Sequence, residues 1–311
     1  MTDDITDEED EDTSRSRGRS RNHDFGEYDK VYDLPSGYLS VSQVGLYQKC
    51  GERYRRRYVE NQRTPPSSNL GHGRLIHKAV ETLLQYKIDN EQRVPPADLG
   101  NDAISDHLQE MSQDIEIWDP KVPDIETFEE TARELVGLYE ESRLPEVLPR
   151  AVELKLKRVL RGRIPFVGYT DLIEMSLMDV DFQPMKSLDD LKSTDSVRDL
   201  KATGRKYGAQ RVKNSLQLSM YAEITGLENV GYDLLVQKKK SEFAKQDAFR
   251  SKREKEHAVD VVEDVAKSIS AGVFMRADPE SWMCTEKWCP YFSECRGAQK
   301  SIHTVPDGES V

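Results

Sequence analysis

Around residue 150 the hydrophobic rhythm of this 311-residue chain changes period. Before it, apolar residues recur at helical spacing. LSVSQVGLYQKCGERYRRRYVE (39–60) opens on a Ser cap signal and carries Val44, Tyr47, Tyr54 and Tyr58, and GHGRLIHKAVETLLQY (71–86) turns Leu75, Ala79, Leu83 and Tyr86 to one side. TPPSSN separates these two helices, and residues 97–148 read as mostly helical with breaks at Pro120, Pro123 and Pro145. After it, VELKLKRVL (152–160) and IPFVGYTDLIEM (164–175) alternate with period two and read as paired strands. Helical spacing returns in KYGAQRVKNSLQLSMYAEITG (206–226), where Val212, Leu216, Met220 and Ile224 form a stripe that Gly226 ends. VGYDLLVQKKK (230–240) is a strand and KEHAVDVVEDVAKSISAG (255–272) a helix. Helices first, then a compact strand–strand–strand–helix–strand core, predict an α/β sheet domain with a helical insertion at about 87–148.

The net charge of −12 argues against a nucleic-acid partner until its location is considered. Eight acidic residues fall in the first twelve positions, and a Ser/Arg run follows. Residues 1–36 therefore read as a disordered acidic and Ser-Arg tail, too poor in apolar surface to order itself. Residues 298–311 read as a flexible tail. The remaining basic residues gather in RYRRRY (53–58), KATGRKYGAQRVK (201–213) and KKK (238–240), each of which serves equally as a solvated face or an anion-binding patch. No apolar run approaches the roughly 18 residues of a membrane span. The acidic start lacks the pattern of a secretory signal, so a cytoplasmic, membrane-free protein is expected.

Four cysteines are present, Cys50, Cys284, Cys289 and Cys295. Three crowd into CTEKWCPYFSEC and the fourth lies far upstream. In an intracellular chain stable disulfides are disfavoured, and four thiolates suit tetrahedral zinc or an iron–sulfur cluster. The gaps of four and five residues are wider than a zinc knuckle's, which favours iron–sulfur. Such a site would clasp the two ends of the domain.

Single motifs in so charged a chain carry little, but their order carries more. "SVSQVGLYQKC", "GRLIH", "GYTD", "DLK", "QLSMY" and "CTEKWCPYFSEC" follow one another over about residues 38–297. In this order they resemble the RecB-like branch of the PD-(D/E)XK nuclease superfamily, in particular the cysteine-containing exonucleases related to the CRISPR-associated adaptation nucleases and AddB. The resemblance implies a restriction-endonuclease-like mixed sheet flanked by helices over residues 37–297, a 4Fe-4S cluster on Cys50, Cys284, Cys289 and Cys295 with zinc as the alternative, and cleavage of DNA phosphodiesters. It further implies that His77, Asp171 and a D-L-K aspartate hold Mg²⁺ or Mn²⁺, that the D-L-K lysine positions water and stabilises charge, and that Gln217 and Tyr221 face the site from the next helix. The chemistry agrees, since phosphodiester hydrolysis needs a divalent cation on hard oxygen ligands, and an imidazole adds some preference for Mn²⁺. DNA ends or single strands would be the substrate, in recombination, repair or phage replication within a bacterial or phage-infected cell, with a recombination or replication protein as a further partner.

D-L-K occurs twice, as Asp190/Lys192 and as Asp199/Lys201. The second copy is favoured because the basic stretch GRKYGAQR, with Arg205, Lys206 and Arg211 as DNA contacts, follows it directly. In addition, Lys201 lies 16 residues before Gln217, against 25 for Lys192, and SLDDLKSTD carries the Asp/Ser pattern of a loop or helix cap. Asp190 and Lys192 stay open as the alternative pair. Glu153-Leu-Lys155 offers a third acid-x-Lys and reads as a strand edge. Two other functions fit the same residues: a catalytically inactive DNA-binding scaffold, and a cluster-bearing interaction protein.

Overall fold

In the computed structural model, which describes residues 24–296 except 117, 120, 121, 178–184 and 186, the change of period at residue 150 is the junction between helices and sheet. The chain begins with α1 (Val41–Lys49) and α2 (Gly51–Tyr54), followed by a π-helical turn (Arg55–Val59). Ser40 caps α1 by accepting from the amide of Gln43. The stretch 39–60, expected as one helix, is broken at Cys50, whose extended backbone ends α1 and whose Sγ accepts from the amide of Arg53 to start α2. Then come α3 (Ser68–Asp89), α4 (Leu99–Ser112) and α5 (Ile125–Ser142).

The sheet follows: β1 (Pro149–Leu160), β2 (Ile164–Glu174), β3 (Ser196–Thr203), α6 (Ala209–Lys213), α7 (Leu216–Thr225), β4 (Asn229–Val236) and β5 (Glu242–Phe249). Its spatial order is β1-β2-β3-β4-β5. Only β3 and β4, joined by the crossover through α6 and α7, are parallel, which makes the sheet mixed. The β1–β2 hairpin closes over Arg161 and Gly162, both at positive φ, a conformation that glycine adopts without a Cβ penalty. The helix expected over 206–226 is two helices. Ser215 stands between them and caps α7 through the amide of Leu218, and Gly226 ends α7 in the left-handed conformation. Lys238–Lys240, expected within a strand, lie beyond β4 in the connection to β5. β5, which the sequence did not reveal, is an edge strand that exposes Lys245, Asp247 and Phe249 and packs through Phe243, Ala244 and Ala248. α8 (Lys252–Ser270) opens on a capping box of Ser251 and Glu254, and α9 (Phe292–Arg296) carries Cys295.

Two apolar cores lie on the two faces of the sheet. One joins Val197, Leu234 and Ile173 to α1, α7 and α8, and the other joins Leu172, Leu200 and Leu235 to α3, α4 and α5. Part of the stretch expected as a tail is packed. The Tyr32 hydroxyl donates to Glu263 at 3.0 Å, the Asp29 amide donates to the Gly162 carbonyl, and Leu34 is buried. The tail expectation counted charge and missed the anchors Tyr32 and Leu34. Residues 1–23 and 298–311 lie outside the described residues. Among the described residues no helix is long and apolar enough to cross a membrane.

Candidate active site

β2 and β3 pair at only three positions, from Leu172–Arg198 to Glu174–Ser196. Where the ladder stops, the amide of Leu200 donates to Asp171 Oδ2 at 2.7 Å, so a carboxylate takes the place of the next strand bond. Asp171 is thereby fixed at the split between two strands. Opposite it, between the Val152–Leu172 and Leu154–Thr170 pairs, stands Glu153 of β1. Its φ is +46°, a left-handed conformation that costs on the order of 1 kcal/mol for a residue other than glycine. The irregularity shifts the alternation of β1: Val152 packs with the α3–α5 layer, yet Leu154 and Leu156 pack with the α7–α8 layer. His77 of α3 brings Nδ1 to 3.6 Å from Asp171 Oδ2 and 3.9 Å from Glu153 Oε1. Ligand atoms of His77, Glu153 and Asp171 all lie within 4.8 Å of one another, the one such group among the described residues.

Asp199 and Lys201, two apart on β3, point to the α7 side. Lys201 Nζ stands 2.5 Å from Asp199 Oδ2, which has no aligned hydrogen bond. Asp199 Oδ1 accepts from Gln217 Nε2 at 2.7 Å, and the same amide donates to Tyr221 Oη at 2.9 Å. Gln217 and Tyr221, four apart, share one face of α7.

The charges are strongly coupled. Burial raises Asp199 to about 6, with Lys201 opposing and Asp171 assisting the shift. Burial also raises Asp171, against the pull of His77 and Lys201. Burial pushes Lys201 down, but Asp199 and Asp171 outweigh it and hold the ammonium above its ordinary value. His77 behaves alike: burial opposes its charge, and Asp171 with Glu153 raises it nonetheless. Burial keeps the Tyr221 phenol neutral, with Asp199 and Asp171 adding to the shift. His77 thus stands against two carboxylates where a divalent cation would offset their charge more strongly. Two carboxylate oxygens and one ring nitrogen are the hard, mixed donor set that Mg²⁺ or Mn²⁺ accepts.

The first D-L-K lies elsewhere. Asp190 ends the 3₁₀ turn Leu188–Asp190, its carboxylate accepts from the Ser187 amide at 2.9 Å, and the amide of Lys192 donates to Asp195. Arg205, Lys206 and Arg211 are exposed beyond the end of β3. Lys206 meets Glu242 at 3.4 Å and the Arg211 guanidinium stacks on Tyr207 at 3.6 Å. Cys50, Cys284, Cys289 and Cys295 line one recess with Arg53, Arg56, Arg276 and Arg296. Cys50 Sγ accepts from the amides of Arg53 and Ala277, and Arg296 donates to Cys284 Sγ at 3.1 Å. Among the described residues these sulfurs do not form a group as tight as the His77 site.

Glu153 is the site residue that sequence reading passed over. A signal was present: a hairpin closing at Arg161–Gly162 places Glu153 across from Asp171.

The model of the PD-(D/E)XK nuclease superfamily matches residues 38–296, and this chain belongs to that superfamily. Its mixed five-stranded sheet flanked by helices is of the restriction-endonuclease-like kind. Among solved structures, the chain is similar to a candidate exonuclease from Eubacterium rectale, with 16% identity, a TM-score of 0.46, and coverage of 80% of this chain and 87% of that one. It is also similar to SSO0001, with 14% identity, a TM-score of 0.32, and coverage of 68% and 93%. None of the curated proteins matches it.

Proposed function

We propose that this protein is a divalent-metal-dependent DNA exonuclease of the RecB-like branch, acting on DNA ends or single strands in recombination, repair or phage replication. The observation that carries the reading is the convergence of His77, Glu153 and Asp171 within 4.8 Å, beside the Asp199–Lys201 pair. Bound there with Asp199 alongside, Mg²⁺ or Mn²⁺ would neutralise phosphate charge and acidify a water. Lys201, held protonated by Asp199 and Asp171, orients the attacked phosphate and stabilises the charge that develops on it. Gln217 holds the Asp199 carboxylate in place, and neutral Tyr221 holds the Gln217 amide by accepting from it. Arg205, Lys206 and Arg211 meet the DNA backbone beyond β3.

In the same reading, Cys50, Cys284, Cys289 and Cys295 hold a 4Fe-4S cluster that ties the N-terminal helices to the C-terminal segment of a nuclease unit spanning about 37–297. A single zinc would need sulfurs about 3.8 Å apart, from Zn–S bonds of about 2.3 Å. The looser recess suits the larger group, and nearby arginines balance the thiolates.

The test is degradation of end-labelled linear DNA and covalently closed circular DNA by the purified protein with Mn²⁺. Loss of label from the linear form alone is expected. Intact linear DNA at any Mn²⁺ concentration refutes the enzyme reading, and cleavage of closed circles refutes the exonuclease one. Iron and acid-labile sulfide in anaerobically purified protein, lost in Cys289→Ser, test the cluster. Stoichiometric zinc would replace it.

A further inference from the structure

β5 has a complete ladder on one side only. It pairs with β4 from Glu242–Val236 to Phe249–Asn229, and among the described residues no strand lies outside it. The Arg250 amide donates to the Glu228 carbonyl, which continues that ladder by one rung. Antiparallel rungs alternate between bonded and non-bonded pairs, so Glu242, Ala244, Gln246 and Ala248 bond their backbones to β4. Phe243, Lys245, Asp247 and Phe249 therefore turn their amides and carbonyls to the open side. Among the described residues only the Phe249 carbonyl is bonded there, accepting from the Arg250 guanidinium at 3.1 Å.

This open row is complementary to itself. An antiparallel neighbour must set outward-turned residues against outward-turned residues, so a two-fold axis near mid-strand falls on Lys245, Gln246 or Asp247. On Lys245 it opposes two lysines and on Asp247 two aspartates, and like charges directly opposite are destabilising. On Gln246 it sets Lys245 against Asp247 of the other copy, and symmetry repeats the pair. The Lys245 side chain is 39% exposed and that of Asp247 69%, so both keep a free side despite their contacts with Glu174 and Arg198. The same register lays Phe249, 57% exposed, against Phe243 of the other copy, and brings Ala244 to Ala248 where the backbones approach closest. Charges on an edge commonly keep sheets apart. Here they penalise the slipped registers and favour one.

We propose that β5 is an interface with a second copy of this chain, the two edges joined antiparallel about a two-fold axis at Gln246 into one continuous sheet. The inference is independent of the nuclease reading, since Asp199 and Lys201 lie on β3, separated from the edge by β4.

Sedimentation velocity of the full chain over a concentration series tests it, and wild type should show a monomer–dimer equilibrium. Lys245→Asp or Asp247→Lys sets like charges opposite each other on both rungs and should raise the dimer dissociation constant roughly 10-fold or more. The double variant exchanges the charges and should restore it. Amide hydrogen exchange of wild type reads the same interface without a substitution. The Lys245 and Asp247 amides should exchange fast in dilute protein and slowly in concentrated protein, while those of Ala244 and Gln246 stay protected in both. A wild type that remains monomeric throughout refutes the pairing. So does a dimer that both single reversals leave intact, or a loss that the double variant, folded by circular dichroism, fails to reverse. Outer amides protected at every dilution would assign the edge to a segment of the same chain and overturn the second copy as its occupant.

Discussion

Replacing Asp233 by alanine is expected to cost about 3 kcal/mol of stability, although Asp233 lies on the sheet face away from Asp199 and Lys201. Its carboxylate is 2% exposed, and it accepts from Arg143 Nε at 2.9 Å and from Arg198 Nη2 at 2.5 Å. Both guanidiniums are themselves buried. Burial alone would raise Asp233, but Arg198 and then Arg143 outweigh it and hold the carboxyl below its ordinary value. Removing one partner of a buried ion pair typically costs about 3–5 kcal/mol, because the other charge stays buried without compensation. Here the lower end applies. Arg143 keeps Glu174 at 2.6 Å, and Arg198 keeps the Tyr232 carbonyl at 2.8 Å and a contact with Asp247. Asp247 is the internal control. It also meets Arg198, but its side chain is 69% exposed, so Asp247→Ala should cost about 0–1 kcal/mol. Urea denaturation at neutral pH, with equal slopes required of the variants, measures both. A cost for Asp233→Ala within 1 kcal/mol of that for Asp247→Ala would refute the view that this network holds β3 and β4 together.

In Mn²⁺-dependent cleavage, Asp199→Ala should lose at least about 100-fold while Asp190→Ala stays near wild type, since only Asp199 adjoins Lys201 and Gln217. The opposite ranking would move the site to the first D-L-K. Glu153→Gln should raise the Mn²⁺ concentration for half-maximal rate by roughly 10-fold or more, read from a metal titration; an unchanged value removes Glu153 from the metal group. Glu263, which accepts from Arg161, Arg163 and Tyr32, is held down to about 2, first by Arg161, against an ordinary value of 4.5. A carboxyl lowered on folding stabilises above its unfolded value and loses that contribution as pH falls from 4.5 towards 2. Glu263→Gln should therefore flatten the acid limb of a Tm-against-pH plot and lower Tm at neutral pH. Parallel acid limbs would exclude this role.

The periodicities by themselves determined the order of helices and strands, because a helix and a strand place apolar residues at incompatible intervals. That is why β1, β2, β4, α3 and α8 are legible as patterns, and why β5 is not: at a sheet edge, EFAKQDAF needs only three small or aromatic contacts. The order of short motifs likewise pointed to His77, Asp171, Gln217 and Tyr221 without any distance, and left two D-L-K pairs as candidates. What the chain could not announce was convergence. Two D-L-K copies are identical as strings, and they differ only in where they fall. Ser187 and Asp195 bind one into a capped turn, while the split between β2 and β3 presents the other beside Asp171. Glu153 joins the site through a register shared across a hairpin and a left-handed backbone angle. Local pattern is set by neighbours along the chain. Distances between carboxylates from different strands are set by packing of the whole sheet, which only the tertiary structure decides.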